Sequence, residues 1–436
     1  MPFKTNRMQS FFLILSAAAA SLFVWQTELT SAQEAPKGKR QTPEERASEK
    51  LKALEARNEI ATSRLKNFGQ LPADDDSEIG KKYQAAFDGF RKAAVDLNQV
   101  QMDFHLASKF PPSFRDQINQ DWQKAMHQGF SAKTNWLKAA AETYARDNDK
   151  YIALGETLSE MMLYDVELDR FDGWVEAAKS IVSSRKFETE DILRAATLIA
   201  YTNSDFDFTD DCLARSEAFQ AENGTKPWFT GEIGSGRSKW ERELEFRKQE
   251  AEKNDNPRVE FLTTKGLLVM ELYEDTAPET VKSFIYLVER GFYNRKSFFR
   301  VEKHLCAQTG CEKGDGTGDA GYTIPGESQL PNHRDHFRGS MAMALGSDAA
   351  GQVQSETGSS QLYFAFLPMP QLDGKYTVFG RVVEGLETMT CFRVLNLSEA
   401  AQKKEGKEPD LILSSRVLRK RDTVYKPKIV AGKLPK

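Results

Sequence analysis

Two side chains able to do chemistry stand eight positions apart in residues 297–310, SFFRVEKHLCAQTG: Arg300 and Gln308. Arginine keeps its charge and offers a rigid fork of donors, whereas a glutamine amide has one acceptor end and one donor end. Strict strand alternation puts Phe298, Arg300 and Glu302 on one side and Phe299 and Val301 on the other. A cation and an amide among aromatic and aliphatic neighbours read as a pocket for a neutral polar group. Other chemistries find little support. There is no nucleophile elbow, phosphate loop or pair of carboxylates in a suitable context. The glycine-rich run at 314–318 follows no strand-to-helix pattern and reads as a turn. His333 and His336 lie three apart in a loop-like stretch without a companion cluster, which makes them surface histidines. The four cysteines match no zinc spacing and read as free, mostly buried thiols. No cofactor or metal is implied.

Further along come GSMAMA at 339–344, GSSQLYFAF at 358–366 and QLDGKYTVFGRV at 371–382. With the arginine stretch, these segments resemble the cyclophilin family of peptidyl-prolyl cis–trans isomerases, over residues 258–421. The resemblance implies roles for particular residues. Arg300 matches the family's essential arginine, and Gln308 the glutamine that steadies the substrate carbonyl. Ala342, Gln361, Tyr363 and Leu372 match positions lining the cleft, with Phe298 and Phe379 nearby. Several positions depart from the family. Leu305 and Cys306 stand where phenylalanine and methionine usually meet the proline ring, and Met343 replaces a common asparagine. Tyr363 replaces a phenylalanine, Gln371 a tryptophan and Tyr376 a histidine. The apolar wall is therefore smaller, and weaker activity than that of a typical member is expected. Residues 346–358 look longer than usual and read as a mobile loop beside the cleft.

The elements that must hold this pocket begin at Val259, where the hydrophobic period changes. VEFLTTKGLLVMELY reads as a hairpin around Thr264, Lys265 and Gly266. Pro278 opens a helix, and Gly291 ends it. Short strands are expected at 297–301, 305–308, 340–344, 362–366, 378–383 and 411–419, with a second helix at 385–395. Short turns and two helices argue for a closed antiparallel β-barrel capped by those helices, which is also the fold the resemblance implies.

The preceding chain is read as all-α. Thr42, Pro43 and Glu45 give a strong helix start. Tyr83, Phe87, Phe90, Ala94 and Leu97 form one helical stripe, and Trp122, Met126, Phe130 and Trp136 another. Residues 151–223 read as two helical hairpins, in which Phe171 and Val175 recur as Phe208 and Cys212. That offset resembles tetratricopeptide-type or related solenoid repeats; an irregular bundle is the alternative. A charged helix at 238–254 reads as a connector packing lightly against one domain. The division is then a signal peptide (1–32), a disordered linker (33–41), a helical domain (42–223), a linker and connector (224–257), the cyclophilin-like domain (258–423) and a basic tail (424–436).

The chain has 436 residues, with Lys4 and Arg7 before an apolar run at 11–25 and small residues at 30–32. That is the layout of a secretory signal cleaved after Ala32; the run is about 15 residues, short for a membrane span of about 20. An exported protein, periplasmic or extracellular, without a membrane span in its mature form is the expectation, an uncleaved anchor being the lesser alternative. A net charge of −4 and pI near 5.9 give no case for nucleic acid. The expected partners are proline-containing polypeptides, with a further protein partner at the helical domain. The leading function is an exported isomerase assisting folding. The alternatives are a catalytically weak module that grips proline segments or acts as a scaffold through its helices, and an envelope-associated assembly protein.

Overall fold

The structure is a computed structural model that describes residues 71, 75–106, 112–217, 233–395 and 409–434. The expectations for the signal peptide, the disordered linker and the helix opened at Thr42 fall outside these residues. Among the described residues, no helix is long and apolar enough to cross a membrane.

Contacts divide the chain into two units. The first takes the described residues up to Ile199, apart from Glu167–Arg170. Its helices are α1 (Glu78–Leu106), α2 (Pro112–Arg146), α3 (Ile152–Val166), α4 (Val175–Ser184) and most of α5 (Glu190–Thr202). The stripe read from α1 is buried: Tyr83, Phe87, Phe90, Ala94 and Leu97 are at most 2% exposed. Phe90 stacks on Trp136 of α2, with centroids 5.1 Å apart. Beside them, buried Lys133 pairs with Asp165, which also accepts a 2.7 Å bond from the Trp174 indole. A buried charge needs such partners, since desolvation alone would expel it. Helix α6 (Phe206–Arg215), placed in the helical domain by the sequence reading, clusters with the second unit.

The second unit comprises Glu167–Arg170 and the chain from Ala200. After helix α7 (Ile233–Lys253) come β1 (Arg258–Thr263), β2 (Leu267–Leu272), α8 (Pro278–Glu289), β3 (Arg300–Glu302), β4 (Cys306–Thr309), β5 (Tyr322–Thr323), β6 (Ser340–Met343), β7 (Leu362–Ala365), β8 (Val378–Glu384), α9 (Leu386–Met389), β9 (Ile412–Arg419) and β10 (Ala431–Gly432). Eight strands form one curled antiparallel sheet in the order β3-β4-β7-β6-β8-β2-β1-β9.

The expected closed barrel is therefore corrected. The edge strands β3 and β9 do not pair by a ladder; the chain just before β3 meets the start of β9 through the Ser297–Leu411 bridge and backbone bonds between 295–298 and 410–412, while Val301 of β3 bridges to Leu395. The second helix is four residues, not the expected eleven or so. The strand expected from residue 297 begins at Arg300, and Phe298 lies in the core with Val301, stacked 4.0 Å from Phe392. Strict alternation across 298–302 fails there. The core on this face is aromatic, with Phe261, Phe284, Tyr293 and Phe379 in mutual contact.

Helix α7 corrects a second expectation, since it is firmly anchored rather than lightly packed. Arg334, fully buried, donates from Nε and Nη2 to Glu243 at 2.8 Å each and from Nη1 to Glu250 at 2.5 Å. Its guanidinium carbon lies 3.6 Å from the Tyr273 ring centroid and 4.6 Å from that of Phe246. Trp240 meets Phe337 edge-on at 4.9 Å, and Arg242 reaches Asp335 at 2.5 Å. The docking stripe recurs at helical spacing, but it is built mostly of charges rather than apolar residues.

Removing one partner of a buried ion pair leaves the other uncompensated, which costs about 3–5 kcal/mol. Arg334→Ala is accordingly expected to lower unfolding stability by about that much in urea titration. Burial alone would raise the Glu243 carboxyl, but Arg334 and Arg247 overcome it and hold it below its ordinary value. A depressed acid contributes stability that is present above about pH 4.3 and lost as pH falls through the folded value. Wild type should therefore lose stability on acidification below pH ~4, and Arg334→Ala should show a shallower loss over that range.

Candidate functional site

Side chains at paired positions of neighbouring strands point to the same face of a sheet. Arg300 of β3 sits opposite Gln308 of β4, Gln308 opposite Tyr363 of β7, Tyr363 opposite Ala342 of β6, and Ala342 opposite Val378 of β8. These five residues make one row across five strands. The adjoining row, Ala307, Phe364, Met341 and Gly380, faces the aromatic core. The sheet thus has a core face and a second face carrying the candidate site.

The polar half of the site is a directed string. Arg300 donates from Nε to Glu302 Oε1 at 2.8 Å and from Nη1 to Gln308 Oε1 at 3.3 Å. Because Gln308 accepts at its oxygen, its amide nitrogen is free to donate, and does so to Gln361 Oε1 at 3.0 Å. Gln361 in turn donates to the carbonyls of Gly316 and Gly318, at 2.9 and 2.8 Å. Cys311 holds that glycine-rich turn, its sulfur accepting from the amides of Gly316 and Gly318, each at 3.2 Å. The turn departs from β4 at Gly310, where φ is +83° and an added Cβ would lie 2.2 Å from the Ser360 carbonyl oxygen, so no other residue fits. Burial alone would lower the Arg300 pKa; its bond to Glu302 outweighs this and keeps it charged.

The apolar half is a small cluster of Tyr273, Cys306, Ala342, Tyr363, Ala365, Met369 and Val378, flanked by partly buried Leu305, Leu372 and Tyr376. Tyr376 meets Tyr363 edge-on at 6.0 Å. Burial pushes the Cys306 thiol up to about 11, so it stands there as an uncharged apolar residue. The Tyr363 hydroxyl, likewise pushed well above its ordinary value by burial, bonds His336 Nε2 at 2.8 Å.

Nine of the eleven residues singled out from the sequence therefore come together: Arg300, Gln308 and Gln361 in the string, and Leu305, Cys306, Ala342, Tyr363, Leu372 and Tyr376 in the cluster. Two do not. Met343 packs in the aromatic core, 2% exposed, because it is one residue out of step with Ala342. Gln371 is exposed, in the 3₁₀ helix Pro370–Leu372, and its carbonyl accepts from the Lys375 ammonium.

Several contributors were missed. Glu302 lies on the expected strand, but nothing local in the sequence marks it as the partner of Arg300. His336, expected at the surface, is buried, with Nδ1 on Asp373 and Nε2 on Tyr363. Asp169, from the segment that joins this unit, accepts from the backbone N–H of His304 and lies 2.7 Å from its Nδ1, which fixes the β3–β4 turn. That bond raises the His304 pKa. Residues 346–358 form a loop with its own hydrogen bonds, in which Asp348 accepts from Ala350, Gln352 and Gln354. All four cysteines are free.

The family model described as cyclophilin type peptidyl-prolyl cis-trans isomerase/CLD matches residues 258–417. A peptidyl-prolyl cis-trans isomerase of Helicobacter pylori is 41% identical over 129 residues, 29% of this chain and 74% of that protein. Peptidyl-prolyl cis-trans isomerase B of Bacillus subtilis is 43% identical over 133 residues, 30% of this chain and 81% of that protein. A crystal structure of a Cryptosporidium parvum cyclophilin type isomerase, obtained in the presence of the dipeptide ala-pro, aligns at 27% identity and TM-score 0.29, covering 36% of this chain and 96% of that one. With most of the length of two bacterial isomerases reproduced in its C-terminal part, the chain belongs to the cyclophilin-type peptidyl-prolyl cis–trans isomerases.

Proposed function

We propose that this isomerase is exported, assists the folding of other exported proteins, and turns X–Pro bonds by stabilising the twisted amide with Arg300. Rotation about a peptide C–N bond faces a barrier of about 18–20 kcal/mol, because resonance must be given up. The two X–Pro isomers differ by only about 0.5–1 kcal/mol, so exchange is slow rather than unfavourable. No bond breaks and no proton moves. The catalyst needs only to bind the half-rotated form better than either planar one.

The observation that carries this reading is the directed string. Glu302 and Gln308 take Nε and Nη1 of Arg300, which leaves Nη2 without a protein partner among the described residues. In the twisted amide the prolyl nitrogen regains a lone pair, and a fixed cationic donor beside an apolar cluster is suited to meet it. Gln308 has one amide hydrogen beyond that given to Gln361, and in this reading it steadies the turning carbonyl. Leu305 and Cys306 leave a shallow wall for the proline ring. Losing ring contact would weaken binding by about 1–3 kcal/mol, and activity below that of a typical family member is the expected result.

Arg300→Ala is expected to lower kcat/KM on a proline tetrapeptide by about a hundredfold, the loss typical of one preorganised transition-state donor. Equal rates for variant and wild type would remove Arg300 from the mechanism. Leu305→Phe is expected to lower KM by roughly three- to tenfold, in keeping with about 1 kcal/mol of added apolar contact. Export is checked by N-terminal sequencing of protein recovered outside the cytoplasm of an expressing cell. The mature chain should begin at Gln33; retention of Met1 on all recovered protein would rule out the cleaved signal.

A further inference from the structure

Helix α7 precedes the matched domain, yet one of its side chains begins a buried line of polar groups that ends in the proline-side cluster. Lys239 Nζ donates to Asp373 Oδ2 at 2.8 Å. Asp373 Oδ1 accepts from the backbone N–H of His336 at 2.8 Å and lies 2.8 Å from its Nδ1. His336 Nε2 lies 2.8 Å from the Tyr363 hydroxyl. The carboxylate facing Nδ1 takes a hydrogen from the ring there, and Nε2 and the Tyr363 hydroxyl share the next hydrogen bond. The His336 side chain is fully buried, and its ring lies parallel to that of Tyr363, at 3°.

Two features give this line a bearing on the site. Tyr363 occupies the row that carries Arg300, Gln308 and Ala342, and its ring sits among Cys306, Ala342 and Tyr376. Asp373 directly follows the 3₁₀ turn that presents Leu372, and its own amide bonds the Pro370 carbonyl. One carboxylate therefore ties down both Tyr363, through His336, and the turn bearing Leu372. A tyrosine hydroxyl buried without a partner would cost free energy and pull the ring towards solvent. The phenylalanine usual at this position in the family needs no such partner.

We infer that Lys239, Asp373 and His336 are positioning residues that set the Tyr363 and Leu372 sides of the proline site, making α7 part of the isomerase's recognition apparatus. The inference rests on the reading of this face as the proline site. The helix is held by three contacts, Lys239 on Asp373, Arg334 held by Glu243 and Glu250 against Tyr273 of the cluster, and Trp240 against Phe337. The ammonium of Lys239 bonds Asp373, and its effect on the cluster is assigned to that bond.

The test uses the full chain and one proline tetrapeptide, with KM and kcat from isomerisation and Kd from calorimetric titration. His336→Leu is expected to raise Kd and KM about three- to tenfold while kcat changes less. Lys239→Met is expected to raise them two- to fivefold. The double variant His336→Leu/Tyr363→Phe removes both partners of that hydrogen bond, so that no hydroxyl is left buried alone, and should return Kd to within twofold of wild type. If thermal stability falls but Kd stays unchanged in the single variants, or if the double variant is no better than His336→Leu, the network is merely structural and the inference is overturned. A wild type that binds no tetrapeptide overturns it as well. Retained turnover in Arg300→Ala bears on the catalytic reading alone, because Kd is read independently of turnover.

Discussion

An amide side chain has a donor end and an acceptor end, and that polarity orders the whole site. Arg300 can only donate, so Gln308 must turn its oxygen towards it. The nitrogen of Gln308 then faces Gln361, whose own nitrogen faces two glycine carbonyls. Flipping either glutamine would set like ends against each other. The charge at one end and the backbone carbonyls at the other fix every group between them. In the proposed mechanism, preorganisation of this kind matters because a reaction with no covalent step needs nothing except a fixed electrostatic environment.

The string depends on the sheet for its spacing. Arg300 and Gln308 meet because β3 and β4 form a tight hairpin that puts them in register, and Asp169 pins its turn through His304. Gln361 is placed by the start of β7, and the glycine turn is brought within its reach by Gly310. The parity of the strands divides labour between the faces. Even one residue of offset sends Met343 into the core while Ala342 faces the site.

The second network runs from α7 and is of a different kind. Its buried charges add little net stability compared with apolar residues of the same size, but they are costly to break singly. Such pairs fix one docking geometry, and here they rest against Tyr273, Asp373 and, through His336, Tyr363. The apolar wall, thin in Leu305 and Cys306, is thus backed by an element outside the matched family segment.

Much of the fold and most of the site were legible in the amino-acid sequence. The helical stripe of Tyr83, Phe87 and Phe90, the change of period at Val259 and the motifs carrying Arg300, Gln308, Gln361 and Tyr363 are local patterns, and local patterns survive without coordinates. Strand alternation puts Met343 on the face opposite Ala342, a pattern that is also local. Other features had no local signal. His336 reads as a surface histidine because its partners, Asp373 and Tyr363, lie 37 and 27 residues away. Helix α7 reads as a loose connector because its docking face is charged, and a charged stripe looks solvated until Arg334 is brought against it, 91 residues beyond Glu243. Sequence by itself determined which residue types would form the site and on which strands; tertiary structure decided which of them are buried, paired and turned towards one another, because desolvation and long-range pairing exist only once the chain has closed on itself.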